Sequence, residues 1–184
     1  MGGVFIVLFV ILIFILIWGI GVYNVLIQNR NKVKNAFAQI DTVLQKRFDL
    51  IPNLVETVRG YASHETELLE KITYARTSYL NSSSTKGKIE AENQLTASLK
   101  SLFAVAENYP ELKANTNFLQ LQTELSNTED QIAFARQAYN DTVTKYNNSI
   151  ATFPNRFIAG LFGFQENALL TISNEAREVP KVQF

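Results

Sequence analysis

The chain has 184 residues, with 17 Lys and Arg against 17 Asp and Glu and 47% hydrophobic side chains. No global basic excess points to nucleic acid, so none is expected among its partners. Cysteine is absent, which excludes disulfides, thiolate metal sites, a cysteine nucleophile and a lipidated cysteine anchor together.

The first predicted element is Val4 to Ile27, without a charge and with Asn24 as its only strongly polar side chain. It is long enough to cross about 30 Å of hydrocarbon as a helix. A cleaved signal peptide would need a charged leading region, a shorter apolar run and a small-residue cleavage site, and the segment offers none of them. We therefore expect a retained single-pass anchor over residues 1–27, with Trp18 and Tyr23 at the headgroup layer. Arg30, Lys32 and Lys34 follow at once. With Lys46 and Arg47 they make five basic residues against one Asp in 28–48, a collar suited to anionic lipid. Met1-Gly2-Gly3 has no basic side chain, so the asymmetry predicts an N-terminus outside the cell membrane and the rest of the chain in the cytoplasm.

Beyond the anchor Gly and Pro are scarce and strand-like alternation is missing, so the fold class is all-α. The expected architecture is a transmembrane helix continuing into a long antiparallel coiled-coil-like bundle over residues 28–164, then a C-terminal tail over 165–184. Breaks at Asn81 to Gly87, at Tyr109-Pro110 and at Phe153-Pro154 predict helices near 4–80, 88–108 and 116–152. The first would be unusually long, and heptad register supports it. Val33, Ile40, Arg47, Leu54, Tyr61, Leu68 and Ala75 alternate with Phe37, Leu44, Ile51, Val58, Glu65, Ile72 and Tyr79, and only Arg47 and Glu65 are not apolar. A chain that reversed near Pro52 or Gly60 would have no reason to keep this phase, so Pro52 is expected to kink the helix rather than stop it.

In the last long helix Phe118, Leu125, Ile132, Tyr139, Tyr146 and Phe153 recur at seven-residue steps, with Leu121, Thr128, Ala135, Thr142 and Ser149 as companions. Leu95, Leu99, Leu102, Phe103 and Ala106 give the middle helix a shorter stripe. Past Pro154 the segment containing Phe157, Ile158, Leu161, Phe162 and Phe164 is apolar and glycine-spotted. It either caps the open end of the bundle or docks on a membrane or partner.

Catalytic chemistry finds little purchase. His64-Glu65 opens like a zinc-protease motif, but the second histidine that chemistry needs does not exist. The pairs Glu65/Glu67 and Glu129/Asp130 read as helix-surface charge. No phosphate-cradling glycine loop or nucleophile elbow is present, so neither enzymatic activity nor a cofactor is expected. Arg47 and Glu65 are more informative, because both occupy apolar seam positions. Buried charge without a partner is costly, so Glu124, Glu129 or Asp130 is expected opposite Arg47, and Arg136 opposite Glu65. Such polar layers would fix helix register; alternatively Arg47, Asp49 and Asn53 would line a partner or ligand pocket.

Three stretches carry a family resemblance: Tyr23-Asn24 through Asn35-Ala36-Phe37-Ala38-Gln39-Ile40-Asp41; Lys46-Arg47-Phe48-Asp49-Leu50-Ile51-Pro52-Asn53-Leu54-Val55 with Gly60-Tyr61-Ala62-Ser63-His64-Glu65; and Ala106-Glu107-Asn108-Tyr109-Pro110-Glu111-Leu112-Lys113-Ala114-Asn115 through Tyr139-Asn140. In these the chain resembles the LemA family, departing from it where Phe37 stands for a frequent Trp and Gln45 for a frequent basic residue. Residues 165–184 are not recognisable. The resemblance implies a bacterial single-pass membrane protein with a helical bundle, no settled biochemical activity, and relatives linked to membrane-associated assembly. The expected function is a membrane-anchored scaffold that organises protein partners or copies of itself. The alternative is an adaptor or signalling subunit for a membrane protease or kinase.

Overall fold

The computed structural model describes residues 2–170. Among these residues it is helical throughout, with no strand: α1 (Gly2–Asp49), α2 (Ile51–Arg59), α3 (Thr66–Asn81), α4 (Thr85–Ala106), α5 (Pro110–Lys113), α6 (Thr116–Ala151) and α7 (Asn155–Leu161). They fall into two compact units. One takes the chain up to Ile40 together with Phe134 onward, and the other takes Asp41–Ala133, so α1 and α6 contribute to both.

In the Asp41–Ala133 unit the helix expected over 4–80 is three helices, and this corrects the sequence reading. Leu50 and Pro52 mark the first interruption, and it is mild. The Leu50 backbone stays in the right-handed helical region and its N–H bonds to the Arg47 carbonyl in a tightened turn, because Pro52 at the start of α2 offers no N–H of its own. Beside Pro52 the helix is therefore interrupted at one residue rather than stopped. The interruption after Arg59 is a reversal. Gly60, a poor helix former, caps α2, the Tyr61 and Ala62 N–H groups both fold back onto the Val58 carbonyl, and α3 opens after Glu65. Tyr79 of α3 then stacks on Phe48 at 4.2 Å between ring centroids, and Arg76 Nε donates to the Phe48 carbonyl at 3.3 Å, so α3 runs antiparallel to the end of α1.

Heptad phase survived the reversal because both arms of a hairpin must bury a stripe. Leu54 and Val58 on one arm and Ile72 and Ala75 on the other are all buried. The break did leave a mark: seam positions Tyr61, Glu65 and Leu68 are not buried.

Local signals set the remaining ends. The Ser84 side chain caps α4 by accepting from the Gly87 N–H at 3.0 Å, and Asn115 Oδ1 accepts from the Phe118 N–H at 3.0 Å at the head of α6. Pro110 opens α5. Lys88 meets Asp41, Glu92 meets Arg47 and Tyr109 meets Glu65, so α4 runs parallel to α1 and α2. Asn115 meets Tyr61 and Glu124 meets Lys46, so α6 returns antiparallel. Four helical segments thus enclose Leu44, Phe48, Ile72, Leu95, Leu99, Phe118 and Leu125.

In the other unit Leu26, Val33, Ala36 and Ile40 of α1 are buried, as are Tyr139, Val143, Tyr146 and Ile150 of α6. The seven-residue row holds from Phe118 to Tyr146, but its companion row shifts. Thr128 is buried as expected, whereas Val143 and Ile150 replace Thr142 and Ser149 because a helix of 3.6 residues per turn drifts against a strict seven-residue repeat. Phe153, the last of the row, is exposed. No side chain from Val4 to Ile17 is covered by the protein.

Candidate functional site

Arg47 is buried in the Asp41–Ala133 unit with 1% of its surface exposed. Its Nη1 donates to Glu92 Oε1 at 2.9 Å and to Thr96 Oγ1 at 3.0 Å, its Nη2 reaches Glu129 Oε2 at 3.4 Å, and the Thr96 hydroxyl donates in turn to Glu92 Oε1 at 3.0 Å. Glu129 was among the expected partners. Glu92 was not, although it is the more buried carboxylate, at 4% exposure. The guanidinium fork ties α1, α4 and α6 together, the geometry for which arginine is suited and lysine is not. Glu92 could have been found: it falls three residues before Leu95, on the apolar stripe of its helix.

Glu65 does not meet Arg136 as expected; Glu65 Oε1 accepts from the Tyr109 hydroxyl at 2.9 Å. This bond, the largest influence on Tyr109, raises its phenol above the usual tyrosine range. Asp49 and Asn53 do not join Arg47 in a pocket. Asp49 is exposed and accepts from Gln45 Nε2 at 2.9 Å. Asn53 lines a shallow surface groove of about 500 Å³ with Glu56, Thr57, Gln120, Leu121 and Glu124. Arg47 thus lies in a buried polar layer between helices, Glu65 is only partly covered, and Asp49 and Asn53 stand on the surface apart from Arg47.

A second brace was not foreseen. Asp41 Oδ1 accepts from the Tyr79 hydroxyl at 3.0 Å and from Lys88 Nζ at 2.6 Å, while Lys88 also lies 5.3 Å from the centroid of the Tyr79 ring. Burial first, and then the bond to Asp41, raise the Tyr79 phenol far above its ordinary value.

In the other unit the expected interface residues divide by role. Trp18 is exposed among the uncovered apolar side chains, and Lys32 and Lys34 are exposed. Tyr23 is half-buried: its ring lies 4.7 Å from that of Phe162 and 5.9 Å from that of Phe164. Arg30 stands 5.4 Å from the Phe164 ring centroid. The segment after Pro154 forms α7, and Ile158 approaches α1 at Gly19. Gly163 has φ +68° and closes α7 in a Schellman turn, with the Phe164 N–H on the Ala159 carbonyl at 2.9 Å. That left-handed residue returns Phe164 toward Tyr23.

The expected loose tail is held as far as residue 170; residues 171–184 lie outside the described residues. Asn147 exchanges two hydrogen bonds with the Asn167 backbone, at 2.9 and 3.0 Å, and Asn140 does the same with Leu170, at 2.9 Å each. Tyr146 and Tyr139 donate to the Gln165 and Ala168 carbonyls at 3.0 and 3.3 Å. Seven residues of helix advance about 10.5 Å, close to three residues of extended chain at roughly 10 Å, so the two spacings stay matched. The available signal was the Tyr-Asn pair repeated at seven residues, Tyr139-Asn140 and Tyr146-Asn147.

Fold and site together define a helical-bundle protein with buried polar braces and, among the described residues, one helix long and apolar enough to cross a membrane. The LemA family model matches residues 36–184, and the chain belongs to the LemA family. The match takes in residues 165–184, beyond the reach of the motifs that carry the resemblance, and it leaves residues 1–35 outside. The chain is 34% identical to Protein LemA of Metamycoplasma hominis over 79% of its own length and 69% of the relative's. It is 22% identical to Magnetosome protein MamQ 2 of Paramagnetospirillum magneticum over 78% of its length. That alignment spans 62% of the magnetosome protein. A further relative, Magnetosome protein MamQ of Magnetospirillum gryphiswaldense, is 29% identical over 44% of the chain.

Proposed function

We propose that the protein is a single-pass membrane scaffold whose bundle binds protein partners or further copies of itself and performs no catalysis of its own. The observation that carries this reading is the uncovered run from Val4 to Ile17 on a helix that continues into a braced bundle. Water is a poor environment for that surface and hydrocarbon a good one. The conspicuous polar clusters support an interaction role as well: Arg47, Glu92, Thr96 and Glu129 bind one another, as do Asp41, Tyr79 and Lys88, which makes them braces between helices. Likeness to proteins named for the magnetosome favours a part in an assembly.

A groove of about 650 Å³ between α3 and α4, lined by Glu70, Lys71, Tyr74, Gln94 and Ala97, provides a place to test it. A photo-crosslinking amino acid at the exposed Tyr74, activated in native membranes, should give adducts that mass spectrometry resolves. Adducts with copies of the chain or with several structural proteins support the scaffold. One dominant kinase or protease would replace it with the adaptor reading.

A further inference from the structure

We propose that α7 and the turn that leads into it are a second membrane contact, a short interfacial element whose Phe153, Phe157 and Leu161 enter the headgroup–acyl boundary beside the Tyr23 end of α1. The inference rests on the reading of α1 as a membrane span. Phe157 and Leu161 stand four residues apart on α7 and so share one face, Phe153 lies in the turn just before it, and the three are 71%, 76% and 81% exposed. Phe153 and Phe157 touch edge to face at 5.8 Å between ring centroids. Within α7 only Ala159 is buried. A cap on the bundle would hide these side chains, and this segment shows them.

Their level along α1 identifies what covers them. About 20 helical residues cross roughly 30 Å of hydrocarbon, so a span that begins near Val4 ends near Tyr23. Ile158 meets α1 at Gly19, and Phe162 and Phe164 meet it at Tyr23, all within one compact unit. α7 therefore lies against α1 at the depth where the hydrocarbon gives way to headgroups, with Phe157 and Leu161 left uncovered there. Interfacial helices seat their apolar side about 5–10 Å into that layer. The charges agree: Arg156 on α7 and Arg30, Lys32 and Lys34 past the span are exposed, placed to meet lipid phosphates. The occupant is thus the lipid of one leaflet, reached by the same helix that anchors the chain.

The chain contains one tryptophan, so Trp18→Phe gives a silent background. In that background Phe157→Trp and, separately, Ile11→Trp are reconstituted as full chains in phosphatidylcholine–phosphatidylglycerol vesicles that carry bromine at chosen acyl depths. Phe157→Trp should emit blue-shifted fluorescence, be quenched best by bromine near the headgroup, and resist aqueous iodide; Ile11→Trp should be quenched best by deep bromine. Quenching of Phe157→Trp by iodide alone, with Ile11→Trp still quenched by lipid, overturns the role of α7 and leaves the span intact. Shielding of Phe157→Trp that disappears on dilution into excess lipid assigns the face to a second copy and overturns it as well. Failure of lipid bromine to quench Ile11→Trp removes the span, and the proposal with it.

Discussion

Arg47 shows how one residue can be both costly and indispensable. Removing its charge from water is offset only while Glu92, Thr96 and Glu129 surround it. Glu92→Gln keeps the shape but withdraws the buried countercharge, and should cost about 3–5 kcal/mol in denaturant unfolding followed by circular dichroism. The double variant Arg47→Met, Glu92→Leu should recover most of that loss, because apolar side chains need no countercharge in the same space. If Glu92→Gln unfolds with the wild type, Glu129 alone suffices and Glu92 is not the main brace. Tyr79 makes a separate statement, in pH. Its phenol titrates above the ordinary tyrosine value when folded, so its contribution is complete below about pH 10 and is lost as pH rises from there toward the folded value. Stability should fall on the alkaline side, and Tyr79→Phe should flatten that fall in melts recorded across the range; an unchanged slope would assign the alkaline loss to other groups.

At the scale of elements, the extended strip from Gln165 to Leu170 is held by main-chain recognition. Asn140 and Asn147 each present a donor and an acceptor to one residue's backbone, as a neighbouring strand would. Asn147→Leu removes both bonds and should cost about 1–3 kcal/mol locally, at 0.5–1.5 kcal/mol for each bond. Hydrogen exchange at the Asn167 amide should accelerate in this variant, while exchange in α4 stays as it was. Equal acceleration everywhere would mean that the strip supports the whole fold rather than lying on it. Asn147→Asp keeps the acceptor for the Asn167 N–H and loses the donor to its carbonyl, so it should show an intermediate effect.

For the whole molecule, charge beside the apolar run predicts the side of the membrane that the bundle occupies. Arg30, Lys32 and Lys34 stand immediately past the apolar run, and we propose on that ground that this flank lies on the cytoplasmic side. Ser83 lies exposed between α3 and α4, in a chain without cysteine. Ser83→Cys should therefore resist a membrane-impermeant thiol reagent in intact cells and react once the membrane is permeabilised. Labelling in intact cells would place the bundle, and every proposed partner, on the outer face.

The sequence by itself determined the helical class, the apolar span, most of the buried seam and the burial of Arg47. Each of these is a local pattern: period, length, or one charge in an apolar row. It also placed the start of α6 and the interruption beside Pro52 closely, since proline acts within a few residues. Tertiary structure decided the rest. The reversal after Arg59 was hidden because two antiparallel arms bury the same stripe that one continuous helix would. Glu92 and the Asp41–Tyr79–Lys88 brace required knowing which helices lie side by side, for partners more than forty residues apart, as Arg47 and Glu92 are, leave no common period. The strip along α6 left no mark in its own sequence, only the repeated Tyr-Asn pair on the helix: its backbone is what Asn140 and Asn147 bind, and every residue except proline carries the same backbone donor and acceptor.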